Sequence, residues 1–505
     1  MNIILDRESK QPLYRQIIET ITNWVKSGEL PPGASLPSVR QLARDLGVGI
    51  KTVRQAYDEL VANGVLDTRQ GSGTFVSDRP AGLVFSVDPE ELNQGMAELP
   101  PMIWQPYKFD TRFGQFTIKA GEEHPYKLSL AQPDPSLFPF ERIKQVATNM
   151  LWYPKEMFFD RSHPQGYQPL VEWLEREMAL AGVDMRPGVN EVIISGGFQR
   201  ALSMILDLLA ARGEMVAVET PTYASILNLL IVKGIQCVGV PVDGAGMDTE
   251  YLSVLLRKER IKAIITIPTY HNPTGTVLAN ERREHLLRLA AQHRVPIIED
   301  DWGRALRYEG NAVPPLKALD SGGYVIHVGS FSKTFLPGLR IGWITLPGEI
   351  AVTALRAKFA ADKGDSWFLQ VMLHEFISRG YFDKHLRKTI KVYNQRRLAL
   401  LDGLKQHMPP EVSWVRPSGG LSVWVRLPRQ IKSIPLLEAC LPHGLEFATA
   451  NFFSPEREDS SELRLSFGRA TEQELHEGAR ILGDVIREMM DKLSTPVEKG
   501  ADFAE

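Results

Sequence analysis

The sequence predicts a multidomain fold, with an N-terminal helix-turn-helix that ends in a β-hairpin followed by a large α/β domain. Its 505 residues exceed what one hydrophobic core usually holds. Helical periodicity dominates the start of the chain, whereas β-type runs alternate with helical segments from about residue 126. Residues 78–125 lack periodicity and contain several prolines, so we expect a linker there. The predicted boundaries are 1–77, 78–125, 126–490 and a polar tail at 491–505.

Three helical stripes define the N-terminal domain. Leu13, Ile17, Ile21 and Val25 recur at a spacing of four, which is typical of an amphipathic helix. A second stripe covers 39–46 and ends at a Gly-Val-Gly turn, and a third covers 53–60. Two short helices around a tight turn have the spacing of a helix-turn-helix. Residues 65–69 and 74–76, on either side of a Gly-Ser-Gly turn, then predict a small β-hairpin.

The large domain is predicted from alternating elements. The β-type runs are at 191–194, 215–218, 263–267, 295–298 and 324–328, and the clearest helical segments are at 199–212 and 280–293. This alternation predicts a mostly parallel sheet with helices on both faces. In such sheets the functional residues cluster on loops at the carboxyl ends of the strands.

Composition limits the class of protein and the cellular compartment that we expect for it. The chain has 43% apolar and 24% charged residues, which is typical of a soluble globular protein. No apolar stretch approaches the roughly 18 residues that span a bilayer, and the N-terminus lacks a signal-peptide pattern, so we expect a cytoplasmic protein without membrane association. Cys237 and Cys440 are too few for a disulfide framework and are expected to be reduced. We predict no metal site.

Net charge does not indicate a nucleic-acid partner. The chain carries a formal charge of −3, and residues 1–78 contain nine Lys and Arg against nine Asp and Glu. Any affinity for DNA must therefore come from the positions of the charges and not from their sum.

The third helix is the predicted recognition helix, because its N-terminal residues would meet base edges in the major groove. The candidate contacts there are Lys51, Thr52 and Arg54, and Arg40 and Arg44 on the preceding helix can reach phosphates. Taken singly, each of these residues is better explained as part of a solvated helix face than as a DNA contact.

The ordered motifs resemble the GntR-family winged helix-turn-helix over about the first 77 residues. They are LPSVRQLA at 36–43, TVRQAYDEL at 52–60 and QGSGTFV at 70–76. The resemblance implies binding to double-stranded operator DNA through the residues named above, with Gly71 at the tip of the wing in the minor groove. Ile50 stands where family members often place a polar or basic residue, so base preference does not follow from the family.

Lys333 lies in the strongest single motif, GSFSKTFLPGLRIG at 329–342. A lysine that forms an imine needs neighbouring groups that hold a phosphate. Ser330, Ser332 and Arg340 meet this need, since arginine presents a fixed fork of donors to phosphate. Taken alone, Lys333 is better explained as an ordinary surface lysine in a Gly/Ser loop.

Four further segments complete a pyridoxal phosphate site in chain order. Each follows a predicted strand: a glycine turn before a helix can cradle a phosphate, a tyrosine can stack on the pyridine ring, an asparagine can donate to the phenolic oxygen, and a carboxylate can keep the ring nitrogen protonated. The residues are Gly197, Phe198 and Gln199 for the cradle, then Tyr223, Asn272 and Asp300. Each has a purely structural explanation, but their joint order favours the cofactor.

This array is similar to the fold-type I aminotransferase domain from about residue 126 to 485. The resemblance implies an α/β fold of the pyridoxal-phosphate-dependent transferase type. It assigns Lys333 as the catalytic lysine that carries the cofactor, and the residues above as its binding residues. Arg464, in LRLSF at 463–467, occupies the position that binds a substrate carboxylate; a structural ion pair is the alternative.

Two positions depart from the pattern of the relatives. Trp302 stands where regulators of this type usually have a tyrosine that contacts the phenolic oxygen, and an indole is a donor only. Ser225 replaces the arginine with which a γ-aminobutyrate-responsive relative binds its ligand. Recognition of that ligand is therefore not predicted.

The two domains in this order resemble the MocR subfamily of GntR regulators. The resemblance implies a homodimeric transcription regulator whose effector, an amino acid or amine, forms an external aldimine with the cofactor and shifts the protein between states of different operator affinity. A working aminotransferase with an N-terminal DNA-binding module stays open, because every residue needed for a proton shift is present. A cofactor-free scaffold is disfavoured by the intact lysine and its partners.

Overall fold

A computed structural model describes residues 3–7, 9, 11–69, 73–78, 125–158 and 163–494. The described residues divide between two compact units, one within the first 78 residues and one from residue 125 onward. Residues 79–124 of the predicted linker and most of the predicted tail lie outside the described residues. Asp491 to Ser494 belong to the last helix, so helical structure extends four residues into the predicted tail.

The N-terminal unit contains three helices and a three-stranded antiparallel sheet in the order β1-β3-β2. Its elements are α1 (Leu13–Lys26), β1 (Ser35–Leu36), α2 (Val39–Leu46), α3 (Ile50–Ala62), β2 (Leu66–Arg69) and β3 (Gly73–Val76). Ile17 and Ile21 of α1 are fully buried against Val53 and Leu60 of α3 in one core. The predicted stripes are therefore the faces that pack together, and the predicted hairpin is β2 and β3.

The large unit is built on an eight-stranded sheet in the order β5-β12-β11-β10-β9-β6-β7-β8. Its strands are β5 (Asn190–Ser195), β6 (Met215–Thr220), β7 (Gln236–Asp243), β8 (Gly246–Met247), β9 (Ile261–Thr266), β10 (Ile297–Asp301), β11 (Val325–Ser330) and β12 (Gly342–Pro347). The five central strands β11, β10, β9, β6 and β7 run parallel, while β12 is antiparallel to both of its neighbours. The sheet is mostly parallel, as predicted.

Both faces of this sheet are covered. Along β5, Ile193 belongs to one buried cluster while Val192 and Ile194 belong to another on the opposite face. Along β6, Val218 and Ala217 divide in the same way between two clusters. Consecutive residues of a strand point to opposite faces, so a strand that is apolar throughout is buried on both sides.

The helices of the large unit include one of 27 residues, α12. In chain order they are α4 (Phe140–Met150), α5 (Gln168–Leu180), α6 (Phe198–Leu209), α7 (Ala224–Lys233), α8 (Thr249–Lys258), α9 (Asn280–His293), α10 (Gly348–Asp362), α11 (Trp367–Ser378), α12 (Tyr381–His407), α13 (Ser433–Cys440) and α14 (Glu472–Ser494). Short 3-10 turns occur at 135–137, 155–158, 316–319, 337–339, 441–443 and 450–452. None of the described helices is long and apolar enough to cross a membrane.

A smaller antiparallel sheet follows the large one in sequence, in the order β13-β14-β17-β16. Its strands are β13 (Ser413–Trp414), β14 (Ser422–Arg426), β16 (Ala448–Thr449) and β17 (Glu462–Ser466). A separate parallel pair joins β4 (Tyr126–Lys127) to β15 (Leu445–Glu446). The first described segment of the large unit is thereby held to an element more than 300 residues later in the chain.

Candidate functional site

The N-terminal unit presents its predicted DNA contacts on the helix-turn-helix. The Ser38 hydroxyl accepts a hydrogen bond from the Gln41 backbone N–H and caps α2. Gly47 ends the helix in the left-handed conformation, with φ of 60°, that the tight turn requires. The Arg7 guanidinium donates to the carbonyl oxygen of Gly47 at 3.0 Å and so ties the turn to the preceding segment.

The side chains that this arrangement exposes are cationic. Arg40, Arg44, Lys51 and Arg54 are exposed and Thr52 is half-buried. The N-terminal end of α3 carries no side-chain cap, so its backbone N–H groups also favour an anion. Ile50 is 47% exposed at the start of α3. Gly71 lies outside the described residues.

A phosphate cradle is formed where β5 leads into α6. Gly197 precedes α6 with φ of 86°, and the helix start has no side-chain cap. A Cβ on Gly197 would lie 3.0 Å from an Arg340 guanidinium nitrogen, so the arginine lies directly against this backbone. The Ser330 hydroxyl donates to Ser332 Oγ at 3.0 Å and accepts from the Ser332 backbone N–H. Helix N–H groups, a guanidinium and two hydroxyls are groups that bind a phosphate dianion.

The half-buried Lys333 lies near the buried carboxylate of Asp300. The Lys333 Nζ donates to the Ala131 carbonyl oxygen at 2.7 Å. Burial, together with the nearby positive charges of Arg464 and Arg340, lowers the pKa of Lys333 to about 8. Burial raises the pKa of Asp300 well above its ordinary value, and the neighbouring carboxylates of Asp301 and Glu219 add to that rise. A lysine with this pKa has a substantial fraction of neutral, nucleophilic amine near neutral pH.

Asp300 also has an unsatisfied acceptor. Its Oδ1 is buried and has no hydrogen-bond partner among the described residues. A buried carboxylate oxygen without a donor costs free energy unless a ligand satisfies it. The protonated nitrogen of a pyridine ring is a donor of the required kind.

Asn272 is held by a polar network. Its Oδ1 accepts a hydrogen bond from Arg464 at 3.0 Å, which leaves the amide nitrogen available as a donor. The preceding residue, His271, lies with Nε2 3.2 Å from a Glu219 carboxylate oxygen. Glu219 in turn accepts from the Thr266 hydroxyl and the Ile267 backbone N–H, both at 2.8 Å. Sequence reasoning missed Glu219, whose partners are distant in the chain.

Arg464 is enclosed, and burial lowers its pKa to about 10. Besides Asn272, its guanidinium donates to the Ser129 carbonyl oxygen at 2.6 Å and lies 4.8 Å from the centre of the Phe453 ring. Its Nε is buried and has no hydrogen-bond partner among the described residues. No carboxylate of the described residues forms a salt bridge with Arg464, so the structural ion pair considered from sequence is absent from this part of the chain.

A cavity of about 260 Å³ lies beside Lys333, Asn272 and Arg464, whereas Asp300 and the residues of the phosphate cradle are not among those that line it. It is lined by Leu130, Ala131, Gln132, Tyr223, Ala224, Ser225, Asn228, Asn272, Lys333, Phe452, Phe453, Arg457 and Arg464. Tyr223 lies 6.2 Å from Phe198 between ring centres, so two aromatic rings meet beside the cradle. Asn228 and Arg457 were not predicted; Arg457 donates to Asn228 Oδ1 at 2.6 Å. Only the folded chain brings the loop of Arg457 beside α7.

Trp302 does not line the cavity beside Lys333. Its indole N–H donates to the Tyr270 carbonyl oxygen at 3.1 Å, and the side chain lines a separate cavity. Ser225 does line the cavity beside Lys333, where it offers a hydroxyl and no charge.

The residues therefore fit pyridoxal 5′-phosphate. The start of α6 has no side-chain cap and lies against Arg340, which suits the phosphate. The carboxylate oxygen of Asp300 without a hydrogen-bond partner among the described residues suits the ring nitrogen. The Lys333 amine, whose pKa is lowered, suits the aldehyde. The large unit thus has a fold and a set of residues that fit the cofactor of a pyridoxal-phosphate-dependent aminotransferase.

Two family models match the chain. The model described as aminotransferase class I and II matches residues 155–482, and the model described as bacterial regulatory proteins, gntR family, matches residues 13–76. The chain belongs to the class I and II aminotransferase family, and its N-terminal unit is a GntR-family DNA-binding domain. Pyridoxal 5′-phosphate is the cofactor of this aminotransferase fold, as predicted.

Relatives that share both parts match nearly end to end. The uncharacterized HTH-type transcriptional regulator YdfD of Bacillus subtilis is 30% identical over 96% of this chain and 98% of its own length. The probable rhizopine catabolism regulatory protein MocR of Rhizobium meliloti is 29% identical over 90% of each chain. A crystal structure of Pyrococcus horikoshii kynurenine aminotransferase in complex with PMP aligns with a TM-score of 0.70 and 32% identity, over 73% of this chain and 92% of that one. The chain is accordingly a member of the MocR subfamily of GntR regulators.

Proposed function

We propose that this protein is a transcription regulator that binds double-stranded operator DNA and senses an amino compound at pyridoxal phosphate on Lys333. The observation that carries the proposal is the presence, in one chain, of a helix-turn-helix with exposed cationic side chains and of a cavity lined by Tyr223, Asn272, Lys333 and Arg464. The near full-length match to HTH-type regulators supports it, since the aminotransferase structure aligns with only 73% of the chain.

In the DNA-binding unit, Lys51, Thr52 and Arg54 would read base edges and Arg40 and Arg44 would contact phosphates. Their exposure at the start of α3 and along α2 supports these roles. Gly71 is proposed to enter the minor groove.

In the cofactor site, the residues that would bind the phosphate are Gly197, Phe198, Gln199, Ser330, Ser332 and Arg340. Asp300 would keep the ring nitrogen protonated, Asn272 would donate to the phenolic oxygen, and Tyr223 would stack on the ring. When bound, the cofactor supplies an aldehyde that reacts with amines and a ring that withdraws electrons.

The effector is proposed to be a small amino acid or amine, and a carboxylate would bind Arg464. The cavity volume of about 260 Å³ suits a small molecule. The Arg464 side chain is buried, and its Nε has no hydrogen-bond partner among the described residues. Both features favour a negatively charged ligand, because a buried guanidinium pairs best with a carboxylate. No arginine of α7 lines the cavity, so the γ-aminobutyrate recognition of a relative is not proposed.

Ligand binding would change hydrogen bonds to the segment at the start of the large unit. Arg464 donates to the carbonyl of Ser129 and Lys333 donates to the carbonyl of Ala131. A carboxylate at Arg464 would compete with the first bond. The second bond needs the free amine of Lys333, which the cofactor occupies when bound and which an amine effector would release. The affected segment adjoins β4, the first described strand after the DNA-binding unit. An effector acts only through differential affinity for two states, and these bonds differ between the states.

We also propose a homodimer in the cytoplasm, with domains at 1–77 and 126–490 joined by a linker at 78–125 and followed by a tail. A homodimer suits both paired operator half-sites and the symmetric assembly common among soluble oligomers. Equilibrium sedimentation of the full chain tests this assembly, and a monomer at micromolar concentration would contradict it.

Two reciprocal variants test the function. Lys333→Ala should remove the visible absorbance of bound cofactor and the effector response while retaining operator binding; Arg54→Ala should do the reverse. If Lys333→Ala responds to effectors like wild type, the sensing site is wrong. Sustained conversion of amino acids to keto acids, at rates on the order of 1 to 1,000 per second, would instead favour a working aminotransferase.

A further inference from the structure

A second cavity, of about 480 Å³, lies between the start of α4 and the start of α12. It is lined by Leu137, Phe138, Pro139, Arg142, Tyr381, Lys384, His385 and Lys388. None of its described lining residues is acidic, and three carry a full positive charge. It shares no lining residue with the cavity beside Lys333.

The three cations are not neutralised by the described part of the chain. Lys384 and Lys388 are exposed and form no salt bridge there, although 58 Lys and Arg face 61 Asp and Glu in the whole sequence. They are four residues apart on one helix, so they share a face and repel each other. Arg142 has neutral contacts: it donates to Gln145 Oε1 at 3.1 Å and lies 5.2 Å from the centre of the Tyr381 ring.

A buried imidazole completes the cavity wall. His385 is 5% exposed, and its Nδ1 has no hydrogen-bond partner in the described part of the chain. Its ring lies 5.1 Å from that of Phe138 between centres. Burial and the charge of Lys388 lower the pKa of His385 to about 4, while the carbonyls of Leu137 and Thr334 oppose that shift. An imidazole is thus buried at a position where an apolar ring would carry a smaller desolvation cost.

The backbone adds to the positive potential. α12 begins at Tyr381, and its N-cap, Gly380, provides no side-chain acceptor. Cations are normally unfavourable in the first turns of a helix, because the helix dipole is positive there. Lys384 lies at the end of the first turn and Lys388 one turn further along. The acidic residue of the first turn, Asp383, lines a different cavity, so the dipole and the two lysines favour a bound anion here.

We propose that this cavity binds a small organic anion with at least two negative charges, carried by phosphate or carboxylate groups, and with an apolar portion. Arg142, Lys384 and Lys388 would hold the charges, and Leu137, Phe138 and Tyr381 would contact the apolar portion. The volume exceeds what a bare ion requires. This site is separate from the cofactor cavity and does not depend on the function proposed above.

The test uses the full chain saturated with pyridoxal phosphate, so that the phosphate cradle is occupied. Calorimetric titration with pyrophosphate, and separately with citrate, should show saturable binding at one site. Lys384→Gln/Lys388→Gln should weaken that binding at least about tenfold, since it removes two charge-assisted contacts. The control Arg387→Gln/Lys391→Gln makes the same charge change on exposed residues of α12 outside the cavity, and should alter affinity by less than about twofold.

The two anions distinguish the source of the charge. Binding of pyrophosphate alone assigns the site to phosphate compounds, and binding of citrate alone assigns it to polycarboxylates. The proposal is overturned if neither anion binds, or if the control weakens binding as much as the cavity variant. It is also overturned if the cavity variant lowers affinity for nonspecific duplex DNA but leaves pyrophosphate binding unchanged.

A second measurement uses the unmodified protein. Pyrophosphate should protect the amines of Lys384 and Lys388 from acetylation by acetic anhydride, and should leave Lys391 unprotected, as read by mass spectrometry of peptides. Equal protection of all three lysines would indicate a diffuse ionic effect and would count against a defined site.

Discussion

The pKa of Lys333 predicts how the protein takes up its cofactor. Only the neutral amine attacks an aldehyde, so the pH at which capture levels off reports the pKa. At pH 7 a pKa of about 8 leaves roughly a tenth of the amine neutral, whereas the ordinary value of 10.5 leaves about three parts in ten thousand. The environment of Lys333 therefore increases the reactive form about 300-fold.

The nearby positive charges cause part of this shift. After burial, Arg464 makes the largest contribution, because its charge disfavours a second cation on Lys333. Arg464→Met should raise the pKa of Lys333. Since the neutral amine predominates only above the pKa, the variant should capture cofactor more slowly at neutral pH and level off at higher pH.

The assay is the rate at which cofactor-free protein gains the visible absorbance of bound pyridoxal phosphate, measured from pH 6 to 10. Wild type should level off near pH 8. Arg457→Met is the matched control, because Arg457 lines the same cavity but is not among the groups that shift the pKa of Lys333. A wild-type rate that still climbs at pH 10, or identical profiles for the two variants, would refute the reasoning.

Three further variants separate packing from chemistry. Gly197→Ala places a Cβ 3.0 Å from the Arg340 guanidinium at a φ of 86°, so cofactor affinity by equilibrium dialysis should fall; unchanged affinity would argue against the cradle. Tyr57→Phe removes the hydroxyl that donates to the Pro37 carbonyl oxygen at 2.9 Å and should destabilise the N-terminal unit by about 1 to 2 kcal/mol in urea unfolding. An unchanged stability would indicate that water replaces the hydroxyl and would contradict this prediction. Trp302→Phe should lower the melting temperature and leave the visible spectrum of bound cofactor unchanged; a spectral shift would place Trp302 at the ring.

The local sequence pattern was sufficient to predict the helices and the hairpin of the N-terminal unit. The spacing of Leu13, Ile17, Ile21 and Val25 predicted α1 because a helix of 3.6 residues per turn places these residues on one face, and the last three are buried. The helix-turn-helix and hairpin followed from turn glycines and short apolar runs. The mostly parallel sheet of the large unit is also confirmed; it was predicted from the alternation of β-type runs with helical segments, although only a short 3-10 turn at 316–319 lies between β10 and β11. The antiparallel insertion of β12 between β11 and β5 depends on pairing across more than 140 residues, which no local pattern encodes.

In the candidate site too, local motifs predicted some residues, whereas other contacts depend on the tertiary structure. Lys333, Asn272 and Tyr223 were found because each lies in a motif beside a strand end, and all three line one cavity. The contacts of Arg464 with Ser129 and Asn272 join residues 335 and 192 positions apart, so they are properties of the tertiary structure. The basic cavity at α12 was missed for a related reason: Arg142 and Lys384 are unremarkable until the fold brings their helices together.

The adjacent carboxylates of Asp300 and Asp301 illustrate why position outweighs residue type. Successive side chains of a strand point to opposite faces, so the two acids have different surroundings although both are buried. Asp301 accepts from Arg304 at 2.7 Å and lies 3.0 Å from His327, and these partners lower its pKa despite burial. Asp300 has an unsatisfied oxygen and a raised pKa. Because the cost of burying Asp301 is already offset by protein groups and that of Asp300 is not, a ring nitrogen gains more by pairing with Asp300.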